Sequence, residues 1–311
     1  MRDAHFEERE LMLGAGVHPR VLMTKVSKQR GRVRAMGIDR LHRAVVGITG
    51  VLLAFACGAQ AQAGAGLDAR QLISALLAHE NEAAEHRGHY RYVSEERSDR
   101  TGGHLWSERV EETNWGKVRY LVAVDGRPLE AEQLAAEKAR VAEEAEHPDA
   151  FKQKEAARVD DEQHAKQMLT LLEKAFLFEA PRPEGEFLRV EFQPNPEYTP
   201  QSMEERVLHA MNGAVLVDAK LIRLREIEGN IPRDVSIGFG LLATIHRGSN
   251  FSTVREHLED VDWKTQTLHT DIRGKALFLK TIARQQESKH TEFKKIANGM
   301  SVADAVALLE R

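Results

Sequence analysis

Val235-Ser236-Ile237-Gly238-Phe239-Gly240-Leu241-Leu242 is the stretch that decides the fold class. Side chains in a strand repeat every two residues, so Val235, Ile237, Phe239 and Leu241 line one face. The other face carries Ser236, Gly238 and Gly240, and glycine inside a strand marks a bend, a bulge or a close approach of backbone. Such kinks let a sheet curl. Outward from it, the region from Gly213 to Lys295 reads as a meander of short antiparallel strands, with further strands over Phe251–Leu258, Trp263–Ile272 and Lys275–Ile282. Turn signals separate them at Glu228-Gly229-Asn230-Ile231-Pro232, His246-Arg247-Gly248-Ser249-Asn250 and Arg273-Gly274. No helix of crossover length alternates with these strands, which argues against a doubly wound fold. The expected class is α+β, with a curved antiparallel sheet and covering helices.

The chain also carries an export signature. Arg40 and Arg43 precede an apolar run from Ala44 to Ala56, and Ala59-Gln60-Ala61 and Ala61-Gln62-Ala63 follow as small-residue cleavage patterns. That is the anatomy of a secretory signal peptide over residues 36–63, with cleavage after Ala61 or Ala63. The apolar run is shorter than the ~20 residues a spanning helix needs. Residues 1–35 read as an extension of the gene model, with Met36 or Met23 as the true start. The expected location is the periplasm. Cys57, the only cysteine, leaves with the leader, or alternatively anchors the chain as a membrane lipoprotein. A single cysteine excludes any disulfide framework.

Residues 1–63 hold ten Lys/Arg and five Asp/Glu, so the remainder keeps 34 of 44 basic and 43 of 48 acidic side chains, a net charge near −9. That balance argues against nucleic acid, whose affinity comes from neutralising phosphates. Residues 64–311 suffice for one domain with a sizeable core.

A helix is expected after Asp68, with Gln71 completing a capping box and Leu72, Leu76 and Leu77 starting its apolar stripe. His79, Glu82 and His86 share a face, but their spacing lacks the H-E-x-x-H metal pattern and no metal is assigned. Strands follow around Tyr90 and Tyr92, Trp106 to Val110, and Val118 to Val124, closed by Asp125-Gly126. Residues 129–180 are rich in Ala, Glu, Lys and Gln and form a helical insert divided at Pro148, either a lid or a decorated connection. Ser301 caps a final helix with Val302, Val306 and Leu309 as its buried stripe.

Met211-Asn212-Gly213-Ala214-Val215-Leu216-Val217-Asp218-Ala219-Lys220, then Ile222-Arg223-Leu224 and the later Gly274–Lys280 strand, resembles an element of periplasmic half-barrel proteins. These are the LolA-type lipoprotein carriers and the amino-terminal domain of the RseB (MucB) regulators. The resemblance covers the chain from Tyr90 onward, apart from the insert, and rests on element order. It implies an incomplete barrel that holds acyl chains in an apolar cavity, and makes 64–311 a single half-barrel domain.

No G-x-S-x-G elbow, P-loop or G-x-G-x-x-G fingerprint is present, so neither an enzyme nor a cofactor is expected. The expected function is an exported carrier that binds a lipid or a lipoprotein acyl chain, with Ile237, Phe239, Leu241, Trp263, Leu277 and Leu279 as cavity wall. The alternatives are an envelope-stress sensor that contacts an envelope membrane protein, and an unrecognised hydrolase.

Overall fold

The computed structural model describes residues 66–156, 170–237, 242–259, 262–276 and 280–311. Helix α1 (Ala69–Ala84) opens the described fold. Strands β1 (His89–Ser98), β2 (Trp106–Thr113), β3 (Gly116–Val124) and β4 (Arg127–Pro128) follow as a meander. The insert begins with α2 (Ala131–Glu146) and a second helical stretch over 148–156, with Pro148 in its first turn, where a missing N–H leaves no bond unmade. Then come α3 (Leu172–Ala175), β5 (Phe176–Phe178), β6 (Arg182–Glu184), β7 (Phe187–Pro194) and α4 (Met203–His209). Strands β8 (Asn212–Asp218), β9 (Leu224–Asn230), β10 (Val235–Ile237), β11 (Ala243–Ile245), β12 (Asn250–His257), β13 (Trp263–Ala276) and β14 (Lys280–Ile296) precede α5 (Val302–Leu309).

All fourteen described strands join one open, curved antiparallel sheet, ordered β4-β3-β2-β1-β14-β13-β12-β9-β8-β7-β5. β6 pairs with β7, and β10 and β11 form a hairpin attached to β13. The α+β class with covering helices is therefore observed.

The predicted caps form. Asp68 accepts from the Gln71 N–H while the Gln71 side chain accepts from the Asp68 N–H. Ser301 accepts from the Asp304 N–H. Asp125 and Gly126 both take positive φ, as a tight hairpin turn between right-twisted strands requires.

Three local expectations change. Arg273-Gly274 is not a turn: both lie inside β13, which runs unbroken to Ala276. A Cβ on Gly274 would lie 2.5 Å from the Thr244 carbonyl, so this glycine answers a close strand approach. Glu228-Gly229-Asn230 likewise belongs to β9, with the chain reversal after it. Phe176, within the expected helical insert, starts β5.

The helices cover different faces. The principal core joins Leu72, Ile73 and Leu76 of α1, Leu172 and Ala175 of α3, and Val207 of α4 to the sheet from β5 to β13. A separate core joins Val141 of α2, Phe151, and Val302, Val306 and Leu309 of α5 to Val118 and Tyr120 of β3.

Candidate functional site: a two-part sheet face

Strand register defines one continuous face, here the front. Leu188, Val190 and Phe192 pair with Val217, Val215 and Gly213, and Val215 and Val217 pair in turn with Ile227 and Leu224. Ile227 and Gly229 face Thr253 and Phe251, which face Leu268 and Thr270. Leu268, Thr270 and Ile272 face Ser288, Gln286 and Arg284, and Ser288 and Gln286 face Glu96 and Ser98. Paired residues point to the same side of a sheet. The front is therefore mostly apolar from β7 to β12, mixed on β13, where Leu268 and Ile272 flank Thr270, and polar at Arg284, Gln286 and Ser288 of β14 and at Glu96 and Ser98 of β1.

Val118 and Tyr120 are one residue out of phase with this surface: they pair with Glu111 and Arg109, whereas Glu108 is the front-facing partner of Ser94. α2 and α5 thus pack on the back face, and α1 roofs the front. Among the described residues, the insert's α2 is not a lid over the apolar half.

A buried ion triad ties the roof down. Glu80 of α1 accepts from Arg223 Nε at 2.9 Å, the Leu224 N–H at 3.0 Å and Arg255 Nη1 at 2.9 Å. Arg255 Nη2 also donates to the Trp263 carbonyl. Burial alone would raise the Glu80 pKa, but Arg255, Arg223 and the Leu224 N–H outweigh it and hold the carboxyl below its usual range. The sequence held a signal for this: Glu80 sits in phase with Leu72, Ile73 and Leu76, and Arg255 in phase with Phe251 and Thr253.

A second buried cluster joins β1, β2 and β13. Lys264 Nζ donates to Glu112 at 2.7 Å and to the Gly88 carbonyl at 3.1 Å. The Tyr90 N–H donates to the same Glu112 carboxylate, and the Tyr90 hydroxyl donates to Asp262 at 2.7 Å. Against the penalty of burial, Lys264, Lys117 and the Tyr90 N–H hold Glu112 below its usual range. Beside it Tyr92 packs on Phe293 and His290. Both clusters place opposite charges together and fill the carboxylate lone pairs, which is what keeps buried ions tolerable.

Other buried groups are less well served. The Thr253 and Thr270 hydroxyls, each on a side chain about 1% exposed, meet no hydrogen-bond partner among the described residues. Neither does the indole N–H of Trp263. The threonines sit where the apolar half meets the polar half.

Of the expected wall residues, Ile237 is buried in the principal core and Trp263 is buried against His257 at a ring separation of 5.0 Å. The fold does not bring them together. Ile237 connects through Ala243 to Ala276 at the end of β13, and Trp263 begins that strand, ~40 Å away along it. Phe239, Leu241, Leu277 and Leu279, and the cleavage residues Ala61 and Ala63, lie outside the described residues. The described flanks of the two apolar stretches do converge, since Ala243 pairs with both Ile237 and Ala276, and Leu242 beside them is 45% exposed. His79 contacts the Leu221 carbonyl, and the described residues contain no cluster of three or more His, Cys, Asp or Glu able to hold a metal ion.

No family model matches this chain, and no curated protein or solved structure matches it significantly.

Proposed function

We propose that this chain is an exported, non-catalytic binding protein that holds a lipid, or the acyl chains of a lipoprotein, against the front of its sheet. The observation that supports this most is the apolar half of that face. Leu188, Val190, Val215, Val217, Ile227 and Phe251 form one wall across neighbouring strands, in a sheet that does not close on itself. An open sheet lets a roof separate from its wall without breaking strand pairing. Export rests on the leader over residues 36–63 and cleavage after Ala61 or Ala63.

Magnitudes set the ligand class. Leu72, Ile73 and Leu76 of α1 are buried in the core shared with this wall, and a ligand must displace them. Each contributes about 1.5–3 kcal/mol of burial, roughly 5–9 kcal/mol together. A buried methylene returns about 0.8 kcal/mol, so some fifteen methylenes return ~12 kcal/mol, more than this displacement costs so long as the Glu80 triad stays paired, whereas a chain half as long returns ~6 kcal/mol and at best matches it. The Thr253 and Thr270 hydroxyls, which meet no partner among the described residues, are the groups a carboxyl or ester end would meet.

The test is native mass spectrometry of protein purified from the envelope fraction after full-length expression, with lipid extraction in parallel. A co-purifying long acyl species, lost on denaturation, is the expected result. A clean apo mass with no uptake of added palmitate would overturn this reading and favour a protein-interaction module.

A further inference from the structure

Among the described residues β3 is an edge strand for most of its length, because β4 covers only Ala123 and Val124. An edge strand exposes unpaired N–H and C=O groups that another chain can pair with. On β3 the outward-facing backbone groups are those of Lys117, Arg119 and Leu121, and the insert bonds one group of each in turn. The Lys117 N–H donates to Glu155 at 3.3 Å, Arg140 Nη2 donates to the Arg119 carbonyl at 2.5 Å, and the Leu121 N–H donates to Glu137 at 2.8 Å. Farther along, the Leu129 N–H donates to the Val122 carbonyl. Acceptor, donor and acceptor from the insert thus take one outward group on each of three residues, where a neighbouring antiparallel strand would take both the N–H and the C=O of each.

The guarding side chains are themselves held in place. Arg140 pairs with Glu137 at 2.7 Å and Glu144 at 2.9 Å, and Lys154 pairs with Glu144 at 2.9 Å. Glu155 is buried against Gly116, where only a residue without a Cβ leaves it room.

We infer that the insert is an edge guard: it stands in for a missing strand through Glu137, Arg140 and Glu155, and reserves the β3 edge from pairing with β3 of a second copy of this chain. A second copy fits the edge by symmetry. A two-fold axis beside Tyr120 would set Arg119 opposite the partner's Leu121, and each pair would exchange N–H and C=O bonds. The strand Val118-Arg119-Tyr120-Leu121-Val122 is rich in the β-branched and aromatic residues that favour such pairing.

The test uses the full chain carrying Glu137→Ala, Arg140→Ala and Glu155→Ala, with light scattering for mass and hydrogen exchange for the Lys117 and Leu121 amides. The wild type is expected to be monomeric through this edge and to protect both amides. The triple variant should associate into dimers, and adding Leu121→Pro, which removes the outward N–H, should return it to monomer. A folded triple variant that stays monomeric overturns the inference, as does association that Leu121→Pro leaves unchanged. Should the triple variant unfold, Arg140→Ala alone is read by exchange: amide exchange at Leu121 should quicken roughly tenfold, and an unchanged rate overturns the guard.

Discussion

Glu80 on α1 and Arg255 on β12 meet at 2.9 Å inside the front face, each buried and each far from the other in sequence. This contact fixes where the roof helix crosses the sheet. Removing only the acid leaves Arg223 and Arg255 buried without their counter-charge. Glu80→Ala should therefore destabilise the fold by about 3–5 kcal/mol in urea unfolding. Replacing the whole triad with apolar residues of similar volume should cost less than the single change, and a larger loss would contradict this account.

The same contact fixes a pH dependence. The folded pKa of Glu80 lies below its ordinary value near 4.5, so its contribution is present above that pH and is lost as pH falls through the folded value. Unfolding free energy measured below pH 4.5 should drop more steeply in the wild type than in the apolar triad.

His290 acts in a different window. Burial first, then the nearby positive charge of Lys117, pushes its pKa down to about 4, although its Nδ1–H donates to the Thr265 carbonyl. Between pH 6.5 and 4 the unfolded chain binds a proton that the folded chain refuses. Stability is full above 6.5 and falls across that interval by up to about 3 kcal/mol. His290→Gln should flatten this part of the curve, and an NMR titration should find the imidazole neutral at pH 5.5.

Thr253 and Thr270 separate binding from stability. Valine preserves their shape and removes a hydroxyl that has no partner among the described residues, so each Thr→Val change should leave stability the same or raise it by about 1 kcal/mol. If these hydroxyls meet the polar end of an acyl ligand, the affinity for palmitate should weaken at least fivefold in the double variant. Calorimetric titration showing unchanged affinity would remove them from the site.

Gly116 takes φ of +146°, and a Cβ there would lie 2.5 Å from Glu155 Cγ. Gly116→Ala should cost about 1–3 kcal/mol through strain and clash together. Adding Glu155→Ala should recover only part of the clash, because Glu155 Cβ at 2.8 Å remains, and none of the strain, as thermal unfolding of both variants can show.

What sequence alone determined here is local. The Asp68 and Ser301 caps, the Asp125-Gly126 turn, the Pro148 helix start and the two-residue phase of β1 to β3 each depend on neighbours a few residues apart, where side-chain chemistry acts directly on backbone. Tertiary structure decided the rest. Arg273-Gly274 has the composition of a turn, yet β11 and β14 pair on either side of it and hold it extended. The insert reads as an amphipathic helix in any setting, and only strand register shows that its stripe meets the back of β3 while its acids and Arg140 bond the strand's edge. Glu80 and Arg223 are separated by 143 residues, and their pairing depends on where a whole helix lands on a sheet. Contacts of that separation follow from the sum of many pairings, and no local pattern carries them.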